Sequence, residues 1–209
     1  NYIKALEEYD KVTEIDPEYI NTINNRAFVY RIQGQHEKSF EEYTKVINID
    51  STYKNAYYGR AIIYKSLNQF DKALKEYADV IDINSEEVES YNNRAMLYVI
   101  MEQYDKANKD FNKAIKLDPE NTSSYFHRAK MYHKQEEYEK EKADYHTAIE
   151  MDDEDPEGYY YLAGFYVNQN KSFQAISYFE KAISRLSADL GYYITAENGN
   201  DKIELADIY

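Results

Sequence analysis

Arg-Ala pairs stand at Arg26-Ala27, Arg60-Ala61, Arg94-Ala95 and Arg128-Ala129, each 34 residues after the one before, and Leu162-Ala163 keeps the register. So regular a period means that one supersecondary unit is copied along the chain, which sets the architecture before any residue is assigned to a helix or a strand. The same stride carries Ile23, Tyr57, Tyr91, Tyr125 and Tyr159, and then Tyr30, Tyr64, Tyr98, Tyr132 and Tyr166. A third aromatic column runs Tyr9, Tyr43, Tyr77, Phe111, Tyr145 and Phe179, and the three together absorb much of an unusual total of 25 tyrosines. Small residues fill two more columns, Ala5, Ser39, Ala73, Ala107 and Ala175, and Val12, Val46, Val80, Ala114, Ala148 and Ala182.

Tyr91, Ala95 and Tyr98 are spaced by four and three, the signature of one helical stripe, and Ala107, Phe111, Ala114 and Ile115 make a second. Each unit is therefore two helices. Short polar turns at Gly34-Gln35, Asn68-Gln69 and Glu102-Gln103 separate them, while Asp16-Pro17, Asn84-Ser85 and Asp118-Pro119 separate one unit from the next. With only 6 Gly and 3 Pro, the composition favours helices over a sheet with many tight turns.

The pattern resembles the tetratricopeptide repeat family, whose 34-residue unit has an aromatic, a large-small pair, an aromatic, then Ala, an aromatic and a late Pro. Residues 88–121, VESYNNRAMLYVIMEQYDKANKDFNKAIKLDPEN, look like a near-complete unit. The resemblance covers almost the whole chain and implies an all-α, right-handed superhelical solenoid. One array is expected over 1–209, with 2–19 the second helix of a partial repeat and full repeats at 20–53, 54–87, 88–121 and 122–155. A divergent fifth repeat follows at 156–189, then a linker at 190–200 and the start of a further repeat at 201–209, where the register has slipped by nine residues. Since it begins and ends inside a unit, the sequence is expected to be a piece of a longer array, with sticky apolar faces at its ends.

The arginine column sits on the inter-helix side, where an unpaired charge would be costly. Glu42, Glu76, Asp110 and Asp144 follow the arginines at a constant offset of 16, and in the fifth unit both charges vanish together, as Leu162 and Tyr178. An ion pair across the two helices of each of the first four full units is the expectation. Glu141 occupies the small-residue column, so it should be overpacked unless its carboxylate snorkels outward or reaches a cation such as Arg128.

Lys plus Arg total 25 against 39 Asp plus Glu, a net charge of -14, which argues against nucleic acid or an anionic membrane as the main partner. No apolar run approaches the length of a membrane span and the first residues do not form a signal peptide. Without cysteine there is no thiol chemistry, and 4 histidines leave little for a metal site; no cofactor or metal is expected, and the compartment stays open. Asp152-Asp153-Glu154-Asp155 lacks the glycine and spaced glutamate of a calcium loop and is expected to be a solvated turn. No nucleophile elbow, phosphate loop or paired catalytic carboxylate occurs, so the chain is expected not to be an enzyme.

The resemblance further implies that the first helices line a concave groove that receives a peptide or protein segment. By register the groove residues are Asn25, Phe28, Tyr58, Ile62, Asn93, Met96, Phe126, Lys130, His133 and Tyr160. Asparagine amides can hold a peptide backbone whatever its side chains, and exposed aromatics add apolar area at low entropy cost. The basic run His127–Lys134 could hold an acidic group. The Lys and Asn constellation with which some family members grip chaperone tails is missing, Asn93 alone being as required. The expected function is a non-catalytic protein-protein interaction scaffold; the alternative is a structural spacer or self-associating module stacking through its open ends.

Overall fold

The computed structural model describes residues 2–197, with side chains through 186. The described residues are helical, without strands: α1 (Tyr2–Ile15), α2 (Ile20–Ile32), α3 (His36–Ile49), α4 (Lys54–Ser66), α5 (Phe70–Ile83), α6 (Val88–Ile100), α7 (Tyr104–Leu117), α8 (Thr122–Lys134), α9 (Tyr138–Met151), α10 (Pro156–Asn168) and α11 (Ser172–Glu197). Where one array was the expectation, the helices form two compact units, one up to Pro119 with α1–α7 and one from Glu120 with α8–α11. In the first, α2/α3, α4/α5 and α6/α7 are hairpins, α1 packs on α2, and each hairpin packs on the next through α3/α4 and α5/α6. In the second, α8/α9 and α10/α11 are hairpins joined through α9/α10. None of these helices is long and apolar enough to cross a membrane.

Local chemistry explains where the first helices stop. After α2 the chain turns left-handed at Gly34 (φ 73°), and the same place holds Asn68, Glu102, Glu136 and Asn170, all with φ between 55° and 59°. The residue following each donates its backbone N–H to the carbonyl of the second tyrosine column: Gln35 to Tyr30, Gln69 to Tyr64, Gln103 to Tyr98, Glu137 to Tyr132 and Lys171 to Tyr166, at 2.8–2.9 Å. This is the six-to-one closure that caps helices with a left-handed residue. The second helices end at Asp50, Asn84, Asp118 and Asp152 in extended conformation. Asp152 accepts backbone N–H groups of Glu154 and Asp155, and Asp155 caps α10 through the N–H of Glu157, so the acidic run is a hydrogen-bonded turn with Asp152, Asp153 and Glu154 exposed.

The core crosses repeat boundaries. Ile23 and Ala27 of α2, Tyr43 and Val46 of α3, and Ala56 and Ile63 of α4 form one cluster, and Ala61, Ala73, Tyr77 and Leu97 draw α4, α5 and α6 into another. Ala27, Ala61, Ala73, Ala95 and Ala107 are fully buried, because only a methyl group fits where the helices of a hairpin cross. At that crossing Ser39 donates its hydroxyl to the Ala27 carbonyl at 2.7 Å, so even the polar member is satisfied.

The four ion pairs are present: Arg26–Glu42 at 2.6 Å, Arg60–Glu76 at 2.5 Å, Arg94–Asp110 at 2.7 Å and Arg128–Asp144 at 2.7 Å. All eight side chains are at most 20% exposed. Arg26 also reaches Asp10 and Thr13 of α1, at 2.9 Å each, tying the preceding helix to the same charge. Burial would lower the pKa of Arg26, but Glu42 and then Asp10 outweigh it and hold the guanidinium above its usual value. In the fifth hairpin Leu162 is fully buried and Tyr178 stacks on Tyr166, with centroids 5.4 Å apart and planes 10° from parallel, so dispersion replaces the charge pair.

The linker expected from residue 190 does not begin there: α11 continues to Glu197. Residues 190–197 contain no proline, and their one glycine, Gly191, costs a helix only about 1 kcal/mol, so a slipped register does not force a break. The further repeat expected at 201–209 lies outside the described residues.

Removing one member of a buried pair strands the other, whereas an apolar pair of similar volume does not. Arg94→Leu and Asp110→Tyr are each expected to lose about 3 kcal/mol in urea titrations. The double variant, which copies the fifth hairpin, should recover more than half of that loss.

Candidate ligand groove

Ten sequence positions were expected to share one groove, and the structure divides them. Asn25, Phe28, Tyr58, Ile62 and Asn93 line a single groove of about 590 Å³ over α2, α4 and α6, together with Asn24, Arg31, Asn55, Gly59, Lys65 and Glu89 and with Tyr43 and Tyr77 at its floor. Phe28 and Ile62, each on the outward face of a first helix, are 47% and 39% exposed, a large apolar area for side chains that a neighbouring helix could have covered. Met96 is half-buried and is not among the residues lining the groove.

The repeat pattern fails at one position of the groove. Positions 25, 93, 127 and 161 carry Asn, Asn, His and Tyr, but position 59 in the same column is glycine. A Cβ on Gly59 would fall 2.2 Å from Cζ of Tyr43, so the missing side chain is what lets the Tyr43 ring stand under α4. Tyr58 is held from the side: its hydroxyl is 2.7 Å from Ser90 Oγ and donates to Glu87 at 3.3 Å, and its ring lies 5.9 Å from that of Tyr77. Burial pushes the Tyr58 phenol well above its ordinary value and that of Tyr77 up to about 12, so both remain neutral at physiological pH. Tyr43 is also raised by burial, with the nearby Arg31 guanidinium pulling the other way.

The other four positions lie in the second unit and do different work. Phe126 is only 4% exposed, packed between the rings of Tyr145 and Tyr161 at 6.4 and 5.5 Å, so it is core and not an accessible aromatic. The cause is the neighbouring rings, Tyr145 of α9 and Tyr161 of α10, which cover the phenyl ring from both sides. Lys130 donates to the Tyr161 hydroxyl at 2.7 Å and lies 4.0 Å from the centre of that ring. Tyr160 is 59% exposed beside an apolar pocket of about 490 Å³ formed with Pro156, Phe179, Ile183 and Leu186.

His133 is committed to Glu141. Its Nδ1 lies 3.0 Å from the carboxylate of Glu141, which is 2% exposed. The partner that Glu141 finds is therefore the imidazole of His133 and not Arg128, whose guanidinium is occupied by Asp144. Burial raises the Glu141 carboxyl and His133 partly opposes this. Arg128, Lys130 and His133 of the basic run each meet a protein partner, while Lys134 at its end is exposed.

Sequence reading overlooked Gly59, although a break in its column was visible. It also overlooked a lysine column on the second helices: Lys38, Lys72, Lys106 and Lys140 lie over the rings of Tyr30, Tyr64, Tyr98 and Tyr132 at 5.3–5.5 Å. Each such contact is worth about 0.5–1 kcal/mol at an exposed site.

Tetratricopeptide repeat models match residues 29–67, 55–87, 88–121 and 111–143, an unbroken span of more than half the chain. The chain belongs to the tetratricopeptide repeat family. Its fold is similar to that of a tetratricopeptide repeat protein from Parabacteroides merdae, at 21% identity and a TM-score of 0.73, covering 88% of this chain and 73% of that one. It is similar also to BtubC from P. vanneervenii, at 17% identity and a TM-score of 0.72 over 98% and 94% of the two chains. YrrB, described as a tetratricopeptide repeat protein with an unusual peptide-binding site, is 18% identical with a TM-score of 0.58, covering 92% of this chain and all of its own. No curated protein matches the sequence.

Two outcomes test this site of the repeat chain. Gly59→Asn, which restores the column, should force Tyr43 aside and cost about 1–3 kcal/mol in a denaturant titration. Because Ala73, Ala107 and Ala175 fill the position of Glu141 elsewhere, Glu141→Ala should leave the midpoint unchanged or raise it by up to about 1 kcal/mol at pH 7. A carboxyl whose folded pKa is raised favours folding most below the ordinary carboxylate range and loses that contribution as pH rises through the folded value, so the gain should shrink towards pH 4.

Proposed function

We propose that this protein is a non-catalytic scaffold that binds an extended peptide or protein segment in the groove over α2, α4 and α6. Tetratricopeptide repeats serve as protein-protein interaction scaffolds, and the finer reading is carried by one observation. Five positions picked out by register as ligand-facing, Asn25, Phe28, Tyr58, Ile62 and Asn93, meet in one groove whose walls offer amide donors and acceptors and whose apolar members are left uncovered. The peptide-binding site named for YrrB, a protein of the same fold, supports it by analogy. The ligand backbone would bond to Asn25 and Asn93, and its apolar side chains would lie on Phe28 and Ile62.

A second reading, self-association through an end of the helix stack, is favoured by the apolar surface of α11: Phe173 and Ile176 are 86% and 58% exposed, beside the pocket that contains Ile183 and Leu186. Sedimentation across concentration separates the two. Association that rises with concentration and is abolished by Phe173→Ser/Ile176→Ser supports the second.

For the groove, Phe28→Ala/Ile62→Ala is the informative variant, because both residues are exposed and each change should alter stability by no more than about 0.5 kcal/mol. Peptides selected on the wild-type chain should bind the double variant about tenfold or more weakly by fluorescence anisotropy. Equal affinity would remove the groove from the account.

A further inference from the structure

We propose that the segment held in this groove is acidic, with a carboxylate placed between Arg31 and Lys65. The inference rests on the peptide-groove reading and adds the charge and the orientation of the ligand.

Arg31 and Lys65 hold the same place in successive repeats, in the last turns of α2 and α4, and both line the groove. The other arginines of the first unit, Arg26, Arg60 and Arg94, are each locked to a carboxylate. Among the described residues Arg31 and Lys65 form no ion pair: Arg31 lies 5.0 Å from the centre of the Phe28 ring and beside the Tyr43 hydroxyl, neither of which carries a full negative charge. Two groove atoms, Arg31 Nε and Asn24 Oδ1, are shielded from solvent without a protein hydrogen-bond partner. In a chain of net charge -14, two cations from successive repeats thus line one groove without an ion pair of their own, whereas the other three arginines of the same unit are each paired. Their place at helix C-termini gives each a favourable dipole interaction of about 0.3–1 kcal/mol, which makes them tolerable but does not turn them into the groove. A carboxylate arriving between them would meet two charged donors at once, the strong class of hydrogen bond.

The groove also has a direction. Glu89, in the first turn of α6, lines it together with Asn55 in the first turn of α4. From there to the last turn of a first helix is ten residues, about 15 Å along the axis. The acid belongs at the helix-end edge by Arg31 and Lys65, apolar side chains one turn earlier on Phe28 and Ile62, and a neutral or basic side chain at the edge of Glu89. In the basic run of α8, Arg128 and His133 already face the carboxylates of Asp144 and Glu141.

A phage-displayed random dodecapeptide library panned on the whole chain tests the assignment, with clones re-measured on Arg31→Gln/Lys65→Gln and on Phe28→Ala/Ile62→Ala after each variant's helicity is checked by circular dichroism. Selected clones should carry Asp and Glu in excess of the unpanned library and bind Arg31→Gln/Lys65→Gln about tenfold or more weakly. They should weaken between about 50 and 500 mM salt. Replacing the Asp or Glu of a clone by Asn or Gln should produce the same loss without altering the protein. Clones that need Phe28 and Ile62, yet show no acidic excess and bind the charge variant unchanged, overturn the acidic assignment and leave the peptide groove standing. Clones indifferent to both variants, or no clones at all, overturn both.

Discussion

The contact on which the rest of the structure depends is the close crossing of two helices at paired small residues, Ala27 with Ser39 and Ala61 with Ala73. Small side chains bring the backbones together, and this closeness lets the aromatics on either side, Tyr43 and Tyr77 among them, reach past their own hairpin into the next. A hairpin therefore completes its core only with its sequence neighbour. Burial of that shared apolar surface, at roughly 25 cal/mol per Å², is the dominant favourable term, and it is collected only when hairpins stack.

Into that contact the first four full repeats set a charged pair, and the fifth sets Leu162 and a stacked tyrosine. The fifth hairpin shows that the apolar solution fits the same backbone. What the ion pairs add is directional: a bidentate guanidinium accepts only one placement of the second helix against the first, whereas apolar surfaces slide. Arg26, bonded to both Glu42 and Asp10, extends the same constraint to α1. Glu141 shows the exception, a carboxylate in a site made for a methyl group, accepted because His133 stands within 3.0 Å.

The grooved face has a different origin. Packing uses the sides of the first helices that meet the second helices and the next hairpin, and leaves a stripe of α2 and α4 uncovered, with Phe28 and Ile62 exposed. That stripe is free of the repeat's constraints, so its columns vary: Asn25, Gly59 and Asn93 in one, Phe28, Ile62 and Met96 in the next. The groove is made by this variation, most of all by Gly59, which opens α4 over Tyr43. Neutral tyrosines, amides, two cations and one carboxylate, Glu89, line it together.

Sequence alone determined the helical hairpin, its length, its turns and the pairing of arginine with acid, because these repeat: a constraint imposed four or five times leaves columns that a single chain displays. Legibility of the groove was partial. Register placed Asn25, Phe28, Tyr58, Ile62 and Asn93 together, since translation by one repeat carries each onto the same stripe. Phe126, Lys130 and His133 follow the same register, but Tyr145, Tyr161 and Glu141, on other helices, engage them. Which cations are spent and which remain available, as Arg31 and Lys65 do, was likewise decided only by tertiary structure. Periodicity reports the direction in which a side chain leaves its helix, and the neighbour it meets there belongs to another part of the chain.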